Sequence, residues 1–106
     1  MNVLVCADKN WEDGKMIYEE LRSRPNIRQI VTTPQDQLDN IYDAAEGAGI
    51  RIDLSEATEI FSYYPHFVMV FSDTRPLDSR LKAIADKAVK RGLCLKVFTH
   101  KPKNKE

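Results

Sequence analysis

The chain has 106 residues with 16 basic and 16 acidic side chains, 42% apolar and 30% charged, a composition suited to one domain that buries a single core without staples. Its longest apolar run, Phe67 to Phe71, falls far short of the roughly 20 residues that span a bilayer, and Met1-Asn2-Val3 has no basic region ahead of an apolar stretch. No membrane partner is therefore expected, and a cytoplasmic location is.

Asn2 to Cys6 is a continuous apolar run of the kind found in strands buried on both faces of a parallel sheet. Trp11 to Arg24 then sets Met16, Ile17 and Leu21 on one helical face, with Asn10 or Asp13 as N-cap and Pro25 ending the element. Ile27 to Thr32 reads as the second strand. From Asp36, the residues Leu38, Ile41, Tyr42, Ala45 and Ala48 recur at helical spacing, with Gly47 and Gly49 as the stop.

Ile50 to Ile52 gives a brief third strand, and Asp53 with Glu56 has capping-box spacing, which predicts a helix through Ile60 and Phe61 that Pro65 closes. Phe67 to Phe71 is the fourth strand. Pro76 suits a first helical turn and precedes Leu77, Leu81, Ile84, Ala85, Ala88 and Val89 on one stripe, with Gly92 just past its end. Leu93 to Phe98 closes the pattern. Alternation of strands and helices predicts an α/β three-layer domain over residues 1–98, with a five-stranded parallel sheet in the order 3-2-1-4-5 and helices on both faces, followed by a basic tail at 99–106.

That order separates Cys6 and Cys94 by an intervening strand, too far for a disulfide, and no Cys-x-x-Cys pair is present. A reducing compartment follows. His66 and His100 have no Cys or second His nearby, so a zinc site is not expected. Charge is lopsided: residues 1–78 carry 7 basic against 14 acidic side chains, and residues 79–106 carry 9 against 2. Asp36, Asp39, Asp43 and Glu46 fall on one helix face, which suits solvent or a basic partner. The tail reads as solvated, and nucleic acid is not the expected partner.

Open parallel sheets bind ligands where strand carboxyl ends meet a reversal of connection. Three loops qualify: Ala7 to Trp11, Thr33 to Gln37 and Ser72 to Pro76. Within them Asp8 and Asn10 are candidates to read a ribose or base edge, Trp11 to stack on a base, Thr33 to donate a hydroxyl and Arg75 to clamp a phosphate. Cys6, at the end of the first strand, has no activating base in its neighbouring sequence and reads as a buried apolar residue.

Val3-Leu4-Val5-Cys6, the Asp-containing turn with Trp11, the strand Phe67 to Phe71 and the segment Ala88-Val89-Lys90-Arg91-Gly92 resemble the SLOG superfamily, and more closely its small YspA-like branch. The resemblance implies a Rossmann-like nucleotide-binding domain whose ligand is held by glycine loops. The family pattern Gly-Gly-x-x-Gly-Ala-Asp after the second strand falls on Thr33 to Asp39, where only Asp39 is kept. The Pro-Gly-Gly-x-Gly-Thr type of loop after the fourth strand falls on Ser72 to Leu77. Glycines there let the backbone approach a phosphate, whereas Asp36 and Asp73 oppose one.

Helix Leu77 to Arg91 also lacks the Glu of the hydrolase-type members, so catalysis is not expected. The cofactor is left open. Two functions remain: a module for a nucleotide-derived small molecule, or a non-enzymatic, phage- or mobile-element-type interaction protein that engages a protein partner or a second copy of itself.

Overall fold

The structure, a computed structural model, describes residues 2–24, 26–56, 59–63, 65–74 and 76–99. The chain runs β1 (Asn2–Ala7), α1 (Gly14–Arg22), β2 (Gln29–Thr32), α2 (Leu38–Ala48), β3 (Arg51–Leu54), a 3-10 turn at Ile60–Tyr63, β4 (Phe67–Phe71), α3 (Ser79–Lys90) and β5 (Cys94–Phe98). Every strand pair is parallel, and the sheet is ordered β3-β2-β1-β4-β5, as the sequence pattern predicts.

Side chains alternate along a strand, so the central β1 serves two cores at once. Val3, Val5 and Ala7 join Ile30, Met69 and Phe71 beneath Ile17 and Leu21 of α1 and Ile41, Ala44 and Ala45 of α2. Leu4 and Cys6 join Val31, Val68 and Val70 against Ile60, Phe61 and the α3 residues Leu81, Ile84 and Ala88. This two-sided burial is why β1 and β4 read as unbroken apolar runs. The two helices on the first face pack closely: Gly47 lies against the Tyr18 ring, where an added Cβ would come within 3.2 Å.

Helix ends follow local chemistry. Asp13 caps α1 by accepting a hydrogen bond from the Met16 amide at 3.0 Å, and Asp78 caps α3 by accepting one from the Leu81 amide at 2.8 Å. Gly49 ends α2 at φ 70°, and Gly92 follows α3 at φ 74°, left-handed conformations in which a Cβ is strained.

Four expectations are corrected. Asp53 does not open a helix; it lies within β3, opposite Val31, and its carboxylate accepts from the Gln29 side chain, so strand pairing overrides the capping-box spacing. Among the described residues before Pro65, Ile60–Tyr63 form a 3-10 turn in place of the expected helix. Asp36 precedes α2 and is buried, so the exposed acidic face of that helix consists of Asp39, Asp43 and Glu46. Pro76 lies ahead of α3, because Asp78 takes the N-cap.

Tyr42 and Val89, placed on apolar stripes by spacing, are 37% and 65% exposed. Cys6 is buried, Cys94 is exposed, both are free, and β4 separates their strands. Among the described residues no helix is long and apolar enough to cross a membrane.

Candidate functional site

The carboxyl ends of β1, β2 and β4 meet where the chain leaves the sheet toward opposite faces, the position at which such folds hold ligands. Here the crevice is filled from within. After β2, the Asp36 amide donates to the Thr33 carbonyl at 3.1 Å, forming a tight turn, and the Asp36 side chain folds back into the protein with no solvent exposure.

Its Oδ2 accepts from the Thr33 amide at 3.0 Å, the Thr33 hydroxyl at 2.7 Å and the Thr32 hydroxyl at 3.1 Å. Its Oδ1 accepts from the Ala7 amide at 3.0 Å and pairs with Arg80 Nη2 at 2.9 Å. A carboxylate thus holds two backbone amides, two hydroxyls and a guanidinium, the donor types that a phosphate-binding loop offers to its ligand. An incoming phosphate would have to replace a carboxylate that is already fully bonded.

Burial pushes the Cys6 thiol well above its ordinary range, the nearby Asp36 charge pushes it the same way, and Arg80 opposes them. Cys6 is therefore a neutral thiol, unsuited to nucleophilic attack. In the native protein Ellman's reagent should modify Cys94 and spare Cys6, with the second thiol appearing only on denaturation. Two fast-reacting thiols would contradict the buried, protonated state.

The predicted site residues separate into two groups. Asp8 and Asn10 do share a rim: Asp8 Oδ1 accepts from the Asn10 amide at 2.9 Å, and its Oδ2 accepts from the Ser72 and Thr74 hydroxyls at 3.4 Å each. Gln37 ties this loop to the next by donating to the Lys9 carbonyl at 2.9 Å. A shallow hollow of about 290 Å³ is lined by Lys9, Pro34, Asp36, Gln37, Leu38 and Asp39, and the Asp36 side chain itself is unexposed.

Trp11 and Thr33 do not face that rim. Trp11 is 2% exposed; its ring packs against Phe71 at 5.6 Å between centroids, and Nε1 donates to the Asp13 carbonyl at 2.8 Å. The residue that was to stack on a base is a wall of the core. Thr33 is fully buried and bonded to Asp36. Arg75 lies outside the described residues.

Sequence reasoning named Asp36 as a carboxylate opposing a phosphate but not as a buried ion-pair member, and it did not name Arg80. Thr32-Thr33 followed by Asp36 has the spacing of a side chain that returns to its own turn, so Asp36 had a local signal. Arg80 had none, because only the sheet order brings α3 beside the β2 loop. Among the described residues no group of three or more His, Cys, Asp or Glu side chains could hold a metal ion.

Fold and site together define a Rossmann-like α/β domain whose switch point is closed by an internal ion pair. Comparison with protein-family models, curated proteins and solved structures finds no match to this chain.

Proposed function

We propose that the protein is a non-enzymatic interaction domain that works through its surface and engages a protein partner. The observation that carries this reading is the bonding of Asp36. The Ala7 and Thr33 amides, the Thr32 and Thr33 hydroxyls and Arg80 are all committed to one internal carboxylate, so a phosphate would have to compete with Asp36 for these donors. Two free thiols accord with a cytoplasmic setting.

A second reading, a SLOG-like module for a nucleotide derivative, draws on the convergence of Asp8, Ser72 and Thr74 with the Lys9 and Gln37 loop. A thermal-shift series with nucleotides, NAD, ADP-ribose and cyclic oligonucleotides separates the two. Ligand at 100 times its dissociation constant stabilises the folded state by about 2.7 kcal/mol. The interaction reading expects no shift from any of them. A shift that Asp8→Ala abolishes would replace it with the nucleotide reading.

A further inference from the structure

The opposite end of the sheet offers a surface of different chemistry. β5 is hydrogen-bonded to β4 on one side only and forms an edge of the sheet, so a row of backbone N–H and C=O groups faces outward among the described residues. In register, Cys94 stands beside Phe67 and Lys96 beside Met69, which places them on the face that α1 and α2 cover over the middle of the sheet. There both are exposed. Beside them is a hollow of about 440 Å³ lined by Arg24, His66, Phe67, Cys94, Leu95 and Lys96. Val97, on the other face of the same strand, is 37% exposed.

Charge selects the occupant. Arg24 is already paired with Glu20 at 2.8 Å and lies 4.8 Å over the Phe67 ring. Lys96 and Lys90 have no carboxylate within ion-pair distance among the described residues. Self-pairing is disfavoured: Lys96 is the middle residue of β5, so an antiparallel pair of β5 strands that uses the whole edge sets Lys96 opposite its own counterpart, and like charges directly opposite destabilise a ladder.

We infer that the β5 edge binds an extended acidic segment of a partner protein by strand addition, with a carboxylate opposite Lys96 on one face and an apolar side chain beside Leu95 and Val97 on the other. This deepens the protein-binding reading and rests on it. Backbone bonding to the edge supplies affinity, and the Lys96 charge and the hollow supply selection.

The test uses the full chain, isotope-labelled, and capped peptides about six residues long, the usual strand length, of alternating Glu and Val or alternating Lys and Val. The Glu-Val peptide is expected to shift the amide resonances of Cys94 to Phe98 and Phe67 and to slow exchange of the outward β5 amides, while the Lys-Val peptide leaves them unmoved. Lys96→Glu, at an exposed position, should weaken the acidic peptide by about tenfold and admit the basic one.

Equal response to both peptides, shifts confined to other surfaces, or a dimer through β5 in solution would overturn the inference. So would a single-stranded oligodeoxynucleotide that shifts β5 where the Glu-Val peptide does not. Nucleotide-induced shifts at Asp8 and Thr33 in the same spectra would instead sink the protein-binding reading itself, which keeps the two failures apart.

Discussion

Asp36→Ala should lower the free energy of unfolding by about 3–5 kcal/mol, the combined cost of leaving several buried donors without their acceptor, read as a fall in urea midpoint at unchanged slope. The carboxylate is unexposed and holds five donors. Its removal leaves the Ala7 and Thr33 amides and the Thr32 hydroxyl without the acceptor they now share, and each buried group so stranded carries a desolvation cost. The partner residue should behave differently. Arg80 is 24% exposed, so its guanidinium reaches water, and Arg80→Ala leaves Asp36 with its amide and hydroxyl donors intact. A loss of about 2 kcal/mol is expected there. If Arg80→Ala costs more than Asp36→Ala, the charge pair and not the amide and hydroxyl bonding dominates the cluster.

Trp11→Ala should cost a further large amount, about 3–5 kcal/mol, because the ring fills the core between Phe71 and the start of α1. Phe71 in turn stacks on Phe98 with ring centroids 4.7 Å apart, so the cavity left by Trp11 opens onto an aromatic row that ties β4 to β5. The Nε1–H donor to Asp13 is lost as well, at the residue that caps α1. Trp11 is the sole tryptophan, so its emission should be blue-shifted and poorly quenched by acrylamide in the native state and should move red on urea unfolding. A Trp11→Ala protein within about 1 kcal/mol of the parent in stability would contradict this packing. It would return the ring to a ligand-facing role.

Much of the architecture was legible because it depends on local pattern. The apolar run Phe67–Phe71 is β4 residue for residue, and the two late glycines fall at helix ends with positive φ. Asp53 and Glu56 misled because a capping box is a local preference of about 1 kcal/mol, whereas β3 gains a full ladder with Gln29 to Thr32. Val89 misled because the stripe of α3 that meets the sheet is narrower than the helical spacing implied, ending with Leu81, Ile84, Ala85 and Ala88.

The site was harder to read than the fold. Replacement of glycines by Thr33, Pro34 and Asp36 signalled that the phosphate loop had changed. The sequence could not signal that Asp36 turns inward and meets Arg80, 44 positions later in the chain, since that depends on which sheet face α3 covers. Trp11 was ambiguous for the same reason: loop position suggests access, and only the packing of Phe71 beneath it decides otherwise.

The central place of β1 also governs the order in which the molecule can be assembled. On a ribosome this strand emerges before the other four, and β2 follows soon enough to pair with one side of it. Its other neighbour is Phe67–Phe71, and the groups that shield Leu4, Cys6 and Val31 come later still, with Leu81, Ile84 and Ala88. At about 5–20 residues per second, the nascent chain carries one bare apolar sheet face for seconds before α3 is made. That interval, set by topology alone, closes only when α3 arrives.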